Sequence, residues 1–324
     1  MEIQTTGIGS LPHINVDAAI QYSFRHDIPF LPQLPIYNPN EYMIYQALEQ
    51  FPGILKPQKG ISHLDLKIWL KHRPRLKKEI QKAEVNKNYS SFLPSPEALS
   101  ALNSFTFELE NRKSKQAKLQ IAGPFTLIQS LKLTDHSSIL EFPDLVEDVF
   151  SYFKMSLKAY IQHFQSPDRE LIIFIDEPGL VIFNKKNQQH LKWLSDELEI
   201  IKELRQDAVS FGVHCCADAD WNYILSEAFW LDYLSFDLNV SGHGLLKTED
   251  LEVFLHNTCL SVGVVETNLE ESRNYEARLN SLIGQLNKKP NKVLVSAACG
   301  LAHRSISDTE AILSALIKEQ ADTQ

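Results

Sequence analysis

No apolar stretch in the 324 residues approaches the ~20 that a membrane-spanning helix requires. The start, Met1-Glu-Ile-Gln-Thr-Thr, has neither the basic residues nor the apolar run of a secretory signal, so a cytoplasmic location is expected. Positive charge is also short. The formal net charge of −9 argues against nucleic acid or an anionic membrane as partner, because both select a basic face. One local basic stretch, Lys71 to Lys82, contains Glu79 and is followed by Glu84, and it reads as the solvated side of a helix. Cysteine is scarce, with four in the whole chain and no CxxC pair, which excludes a disulfide framework and a compact zinc knuckle and fits a reducing compartment. There is no repeat of solenoid length and no low-complexity segment.

With 44% hydrophobic residues, the chain has the composition of a globular protein. Short apolar or β-branched runs alternate with amphipathic stretches, the rhythm of βα units around a parallel sheet. Strands are expected at Ile3 to Ile8, Pro29 to Leu34, Leu119 to Ala122, Leu171 to Ile175, Val209 to His214, Tyr233 to Phe236, Leu260 to Val265 and Val293 to Ala297. Helices are expected at Val16 to His26, Glu41 to Gln50, Pro143 to His163, Gln188 to Arg205, Trp221 to Ala228, Glu249 to Leu255, Leu269 to Leu286 and Ser307 to Lys318. Eight strands with helices between them imply an α/β fold, a (β/α)8 TIM barrel, for which ~250 residues is typical. The excess lies at about 53–117, a polar, partly helical segment carrying Pro57, Pro74, Pro94 and Pro96. It reads as an insertion after the second strand within a single domain, 1–324. An open doubly wound sheet is the alternative, but no GxGxxG follows the first strand.

Active sites of such barrels lie at the carboxyl ends of the strands. Here those ends carry Gly9-Ser10, Gln33, Gly123-Pro124, Asp176-Glu177-Pro178, His214-Cys215-Cys216, Asp237, Glu266 and Cys299-Gly300. Residues two apart on a strand share a face, so His214 and Cys216 can reach one ion while Cys215 turns away and packs as a small hydrophobe. Cys299 ends another apolar run, just before Gly300, where a missing side chain permits a tight turn. Taken alone, this long-range spacing leaves both a metal site and packed thiols open.

The segments Thr6-Gly-Ile-Gly-Ser-Leu-Pro, Ala122-Gly-Pro-Phe-Thr-Leu, Ile175-Asp-Glu-Pro-Gly-Leu, His214-Cys-Cys, Leu234-Ser-Phe-Asp and Ala298-Cys-Gly-Leu resemble, in order and separation, the catalytic barrel of cobalamin-independent methionine synthase. The resemblance runs from the first strand to the last and is weakest in the insertion. It implies a zinc-dependent S-methyltransferase that moves a methyl group to homocysteine or a similar small thiol. In that family zinc is held by His, Cys, Glu and Cys; the matching positions are His214, Cys216, Asp237 and Cys299, with a shorter carboxylate at Asp237. The family holds the amino-acid end of its substrate with positions matching Ile8, Gly9 and Ser10 for the carboxylate and Asp176 for the ammonium, and Glu177 is expected to assist Asp176 in the catalytic acid pair.

The chemistry requires such a site because a free thiol with a pKa near ~8.5 is mostly protonated at neutral pH, whereas a zinc-bound sulfur is a thiolate. A further departure concerns the methyl donor. The family's acid toward a folate leaving group is a His, and the matching stretch here, Val265-Glu-Thr-Asn-Leu, places Asn268 near it; Asn cannot donate a proton as an acid. His243 and Glu266 are the candidate substitutes. The donor is thus either a methylfolate or a methylcorrinoid protein. Two alternatives share the superfamily, a uroporphyrinogen-decarboxylase-like lyase and a corrinoid-protein-linked methyltransferase subunit. The first is disfavoured because its polycarboxylate substrate calls for a basic mouth, and the strand ends here are acidic and thiol-rich.

Overall fold

Alternation of apolar residues along the expected runs becomes a parallel sheet. The structure, a computed structural model, describes residues 2–228, 230–248, 251–255, 258–265, 275–286, 289–290 and 292–322. The strands are β1 (Glu2–Thr5), β2 (His63–Leu64), β3 (Gln116–Ala122), β4 (Lys132–Leu133), β5 (Glu170–Asp176), β6 (Val209–Cys215), β7 (Tyr233–Asp237), β8 (Cys259–Val265) and β9 (Lys292–Ala297). Seven of them form one sheet in the order β1-β9-β8-β7-β6-β5-β3, every pair parallel, while β2 and β4 pair separately.

The run expected as the second strand is a bridge between the two edges of this sheet. Ile28 N–H donates to Thr5 O at 3.1 Å and Gln33 N–H to Gly9 O at 3.0 Å on the β1 side. On the other side, Lys118 N–H donates to Pro29 O at 2.8 Å and Leu31 N–H to Lys118 O at 2.9 Å. The sheet is therefore curled until its first and last strands share one hydrogen-bonded neighbour, giving a TIM-like fold. Pro29 and Pro32 cannot donate, which keeps this segment from forming a regular ladder.

Helices cover the outside: α1 (Val16–Ser23), α2 (Met43–Leu48), α3 (Leu66–Asn86), α4 (Leu102–Asn111), α5 (Pro124–Ser130), α6 (Pro143–Phe164), α7 (Gln188–Glu203), α8 (Trp221–Glu227), α9 (Leu238–Leu245), α10 (Leu251–Phe254), α11 (Tyr275–Gly284) and α12 (Ile306–Asp322). Side-chain oxygens start several of them by accepting otherwise unpaired N–H groups: Asn15 for α1, Asp65 for α3, Asn187 for α7 and Asp220 for α8. Proline opens α5 and α6, where its missing N–H costs nothing. Among the described residues no helix is long and apolar enough to cross a membrane. Two elements, α5 and α9, lie where no helix was expected. Within 53–117, α3 lies along α6 through Trp69 and Arg73, which both bond Asp148, and Phe105 of α4 packs on Phe24 beside α1 at a 5.6 Å centroid distance.

The large core lies between sheet and helices. A smaller one fills the barrel itself, with Ile28, Ile172, Phe174, Tyr233 and Leu294. Above this plug the inward positions turn polar. Register sets Ala122 beside Asp176, Asp176 beside His214, and His214 beside Ser235, so these side chains occupy one level near the carboxyl ends.

Candidate active site

The turn after β1 is clamped on three sides. Gln33 and the loop after Gly300 bond its backbone, with Leu11 N–H donating to Gln33 O at 2.9 Å and Leu301 N–H to Ser10 O at 2.8 Å. Gly9 has φ +150°, and a Cβ there would fall 2.0 Å from Gln120 Nε2. A Cβ on Gly300 would fall 2.1 Å from Ser10 Oγ. Only glycine lets the two loops approach this closely, and the approach brings Ile8, Gly9 and Ser10 next to Cys299.

The two thiols expected to share an ion lie close enough to perturb each other's ionisation. That proximity divides their acidities. Cys299, with Cys216 beside it and helped by the Gly300 N–H and Arg304, is pulled down to about 7 against the opposing effect of burial, while Cys216 is pushed far up. Cys215 faces the other way, fully buried, with its Sγ toward Ala217 O at 3.4 Å, and burial pushes its thiol up to about 11. It is the packed cysteine that strand alternation predicts.

His214 is buried, and its Nδ1 lies 2.9 Å from Ser235 Oγ. Burial, aided by the charge on Lys118, pulls its pKa down to about 3, so the imidazole is neutral across the physiological range. A neutral ring with one nitrogen oriented by a hydroxyl is the state in which histidine ligates metals. Asp237 sits at the end of β7, near enough to Cys299 to oppose its ionisation. Its Oδ1 also accepts from Asn239 N at 2.8 Å and Val240 N at 3.3 Å, capping α9. Burial raises its carboxyl, and those N–H groups and Arg278 oppose the rise.

Two sulfurs, an imidazole nitrogen and a carboxylate are a donor set that fits zinc. They are not gathered here as a ready cluster: among the described residues no three His, Cys, Asp or Glu side chains are grouped so as to hold a metal ion.

Asp176 and Glu177, adjacent on β5, part company. Asp176 turns inward, its Oδ1 buried without a hydrogen-bond partner. Burial raises its carboxyl, Lys118 opposes that, and Cys299 and Glu177 add to it. Glu177 turns outward and is 0% exposed. Its Oε1 accepts from Phe125 N at 3.1 Å, its Oε2 from Thr126 N at 2.8 Å and from the Thr126 hydroxyl. It therefore holds the first turn of α5 from behind the sheet instead of facing the mouth. Glu197 of α7, also 0% exposed, faces it there. Glu266 and Asn268 lie outside the described residues, and His243 is exposed on α9.

Sequence reasoning missed Lys118, Gln120 and Ser235. Lys118 is 1% exposed inside the barrel, its ammonium 4.6 Å from the Phe174 ring centroid, and burial lowers its pKa while Asp176 opposes the loss of charge. A signal for it existed. In Gln116-Ala-Lys-Leu-Gln-Ile-Ala the polar residues alternate with apolar ones, which marks a strand with one polar face.

Residues 112–321 match the family model described as "Cobalamin-independent synthase, Catalytic domain". Among solved structures, a B12-independent methionine synthase from Shewanella sp. W3-18-1, in complex with selenomethionine, is 18% identical over 69% of this chain and 68% of its own, with a TM-score of 0.48. A Listeria monocytogenes protein described as a vitamin-B12-independent methionine synthase is 14% identical over 69% of each chain, with a TM-score of 0.43. No curated protein matches the chain. Matched by that model over most of its length, this chain belongs to the catalytic-domain family of the cobalamin-independent synthases and is a methyltransferase.

Proposed function

We propose that this methyltransferase acts on sulfur, transferring a methyl group to homocysteine or a similar small amino-acid thiol, with zinc held by His214, Cys216, Asp237 and Cys299. The observation that carries the reading is the convergence at the strand ends of two thiols close enough to divide their acidities, a neutral His214 and the unpartnered oxygen of Asp176. Bound there, zinc supplies the positive charge that keeps a substrate sulfur deprotonated at neutral pH.

The chain's own residues orient the acceptor. The N–H groups of the Ile8–Ser10 turn and the Ser10 hydroxyl would take its carboxylate, and Asp176 would take its ammonium. An ammonium entering beside Asp176 favours the ionised carboxylate that burial otherwise disfavours, so substrate and site stabilise each other's charge. Glu177 acts from behind, by fixing α5 and the end of β5, and we assign it a positioning role. The sulfur lone pair then forms the new S–C bond as the donor leaves with the electrons of its methyl bond. The donor in this reading is a methylfolate or a methylcorrinoid protein. The reading also takes 1–324 as one eight-stranded barrel domain in which residues 28–33 supply the remaining strand and about 53–117 are an insertion.

The test is metal analysis of the purified chain combined with thiol-dependent methyl transfer from both donors. Cys216→Ser and Cys299→Ser should each lose metal and transfer together. Stoichiometric zinc that survives both substitutions would remove the assignment.

A further inference from the structure

A single file of hydrogen bonds leaves the Ile8–Ser10 turn and ends in the 53–117 segment. Lys118 Nζ donates to Ile8 O and to Gln120 Oε1, each at 3.0 Å. Gln120 Nε2 donates to Gln33 Oε1 at 3.0 Å, Gln33 Nε2 to Gln46 Oε1, and Gln46 Nε2 to Ala98 O at 2.9 Å. All four side chains are buried.

The direction of this file is set at both ends. Ala98 O can only accept, so Gln46 must present its amide nitrogen there and its oxygen to Gln33, and the same choice passes to Gln33 and then Gln120. Gln120 Oε1 is left needing a donor, which Lys118 provides. A second proton of the same Nζ is spent on Ile8 O. The carbonyl of the turn and the orientation of three amides are therefore decided together, and in a buried setting a broken link leaves polar groups unpaired on both sides.

We propose that Lys118 is a positioning residue which, through Gln120, Gln33 and Gln46, ties the geometry of the Ile8–Ser10 turn to residue 98, so that the 53–117 segment buttresses the pocket for the acceptor's carboxylate. The inference rests on the reading of that turn given under the proposed function. It gives the segment a role in acceptor recognition, remote from the thiols.

Gln46→Met breaks the file at its far end, where the side chain touches neither the turn nor the thiols, and Lys118→Met breaks it at the head. Homocysteine and 2-mercaptoethanol separate the effects, since only the first carries an amino-acid end. The expected result for Gln46→Met is a KM for homocysteine raised about tenfold, the equivalent of one lost charge-assisted hydrogen bond. The rate with 2-mercaptoethanol and the metal content stay unchanged, and amide exchange of Gly9 and Ser10 quickens. Parallel losses on both thiols, or no change on either, would overturn the proposal. If Lys118→Met fails to fold, Gln46→Met decides alone. If the wild-type chain methylates neither thiol, the proposed function fails, and the exchange rates at Gly9 and Ser10 still decide whether the file holds the turn.

Discussion

Replacing Glu197 by Gln should flatten the pH dependence of stability. Glu177 and Glu197 face each other with no exposure to solvent; burial raises both carboxyls, and Glu177 pushes Glu197 higher still, while Glu197 eases the ionisation of Glu177. The oxygens of Glu177 are occupied by Phe125 N, Thr126 N and the Thr126 hydroxyl, whereas those of Glu197 meet no hydrogen-bond donor among the described residues. Two such groups keep one proton between them in the folded chain, while in the unfolded chain both ionise above ~4.3. Because the native state then binds the extra proton, the pair's contribution is fully present below ~4.3 and is lost as pH rises toward the raised native value. The slope is about −1.4 kcal/mol per pH unit across that window. A Gln at 197 donates an N–H to Glu177 without taking up a proton, so this component vanishes. Denaturant unfolding at closely spaced pH values measures it directly. The slope in Glu197→Gln should be less negative than wild type by about 1.4 kcal/mol per unit, and superimposable slopes would refute the shared proton.

Three further outcomes follow from the site. Ser235→Ala removes the group that orients His214 and should weaken metal binding by roughly 10- to 100-fold in a chelator competition; an unchanged affinity would show that the Nδ1 contact does not matter. Asp176→Asn removes the charge facing the acceptor's ammonium and should lower kcat/KM for homocysteine by roughly 10- to 100-fold, the loss of one charged hydrogen bond, with metal content preserved. Gly300→Ala sets a methyl group 2.1 Å from Ser10 Oγ, so the hydroxyl must rotate aside, and should cost up to about 1 kcal/mol of stability by overpacking, most of it recovered when Ser10→Gly is added. Additive losses in the double variant would place the strain elsewhere.

The strands were readable because alternation and β-branched runs are local properties, and seven expected runs became ladder strands within a few residues. Pro29 to Leu34 was read correctly in place, though two prolines reduce it to a bridging segment. Helices α5 and α9 were not legible. The first turn of α5 is held by Glu177, far away in sequence, and α9 contains Asn239, Gly242 and Gly244, which have poor intrinsic propensity and rely on the Asp237 cap. At the site, His214, Cys216 and Cys299 were visible from residue type and strand ends. The pairing of Asp176 with Glu177 as one acid pair overlooked a rule already in use: neighbours on a strand point to opposite faces, so only one of them can enter the barrel. The file from Lys118 to Ala98 was beyond reach, since its members come from four separate stretches whose adjacency only the fold creates.

Metal content of the Cys299→Ser chain, measured alongside its homocysteine-dependent methyl transfer, tests the central claim most directly. The wild-type chain should bind about one zinc per molecule in a site that keeps a position for substrate sulfur. The substituted chain should lose both metal and transfer while His214, Cys216 and Asp237 remain. A Cys299→Ser chain that retains stoichiometric zinc and methylates homocysteine at the wild-type rate would contradict the account.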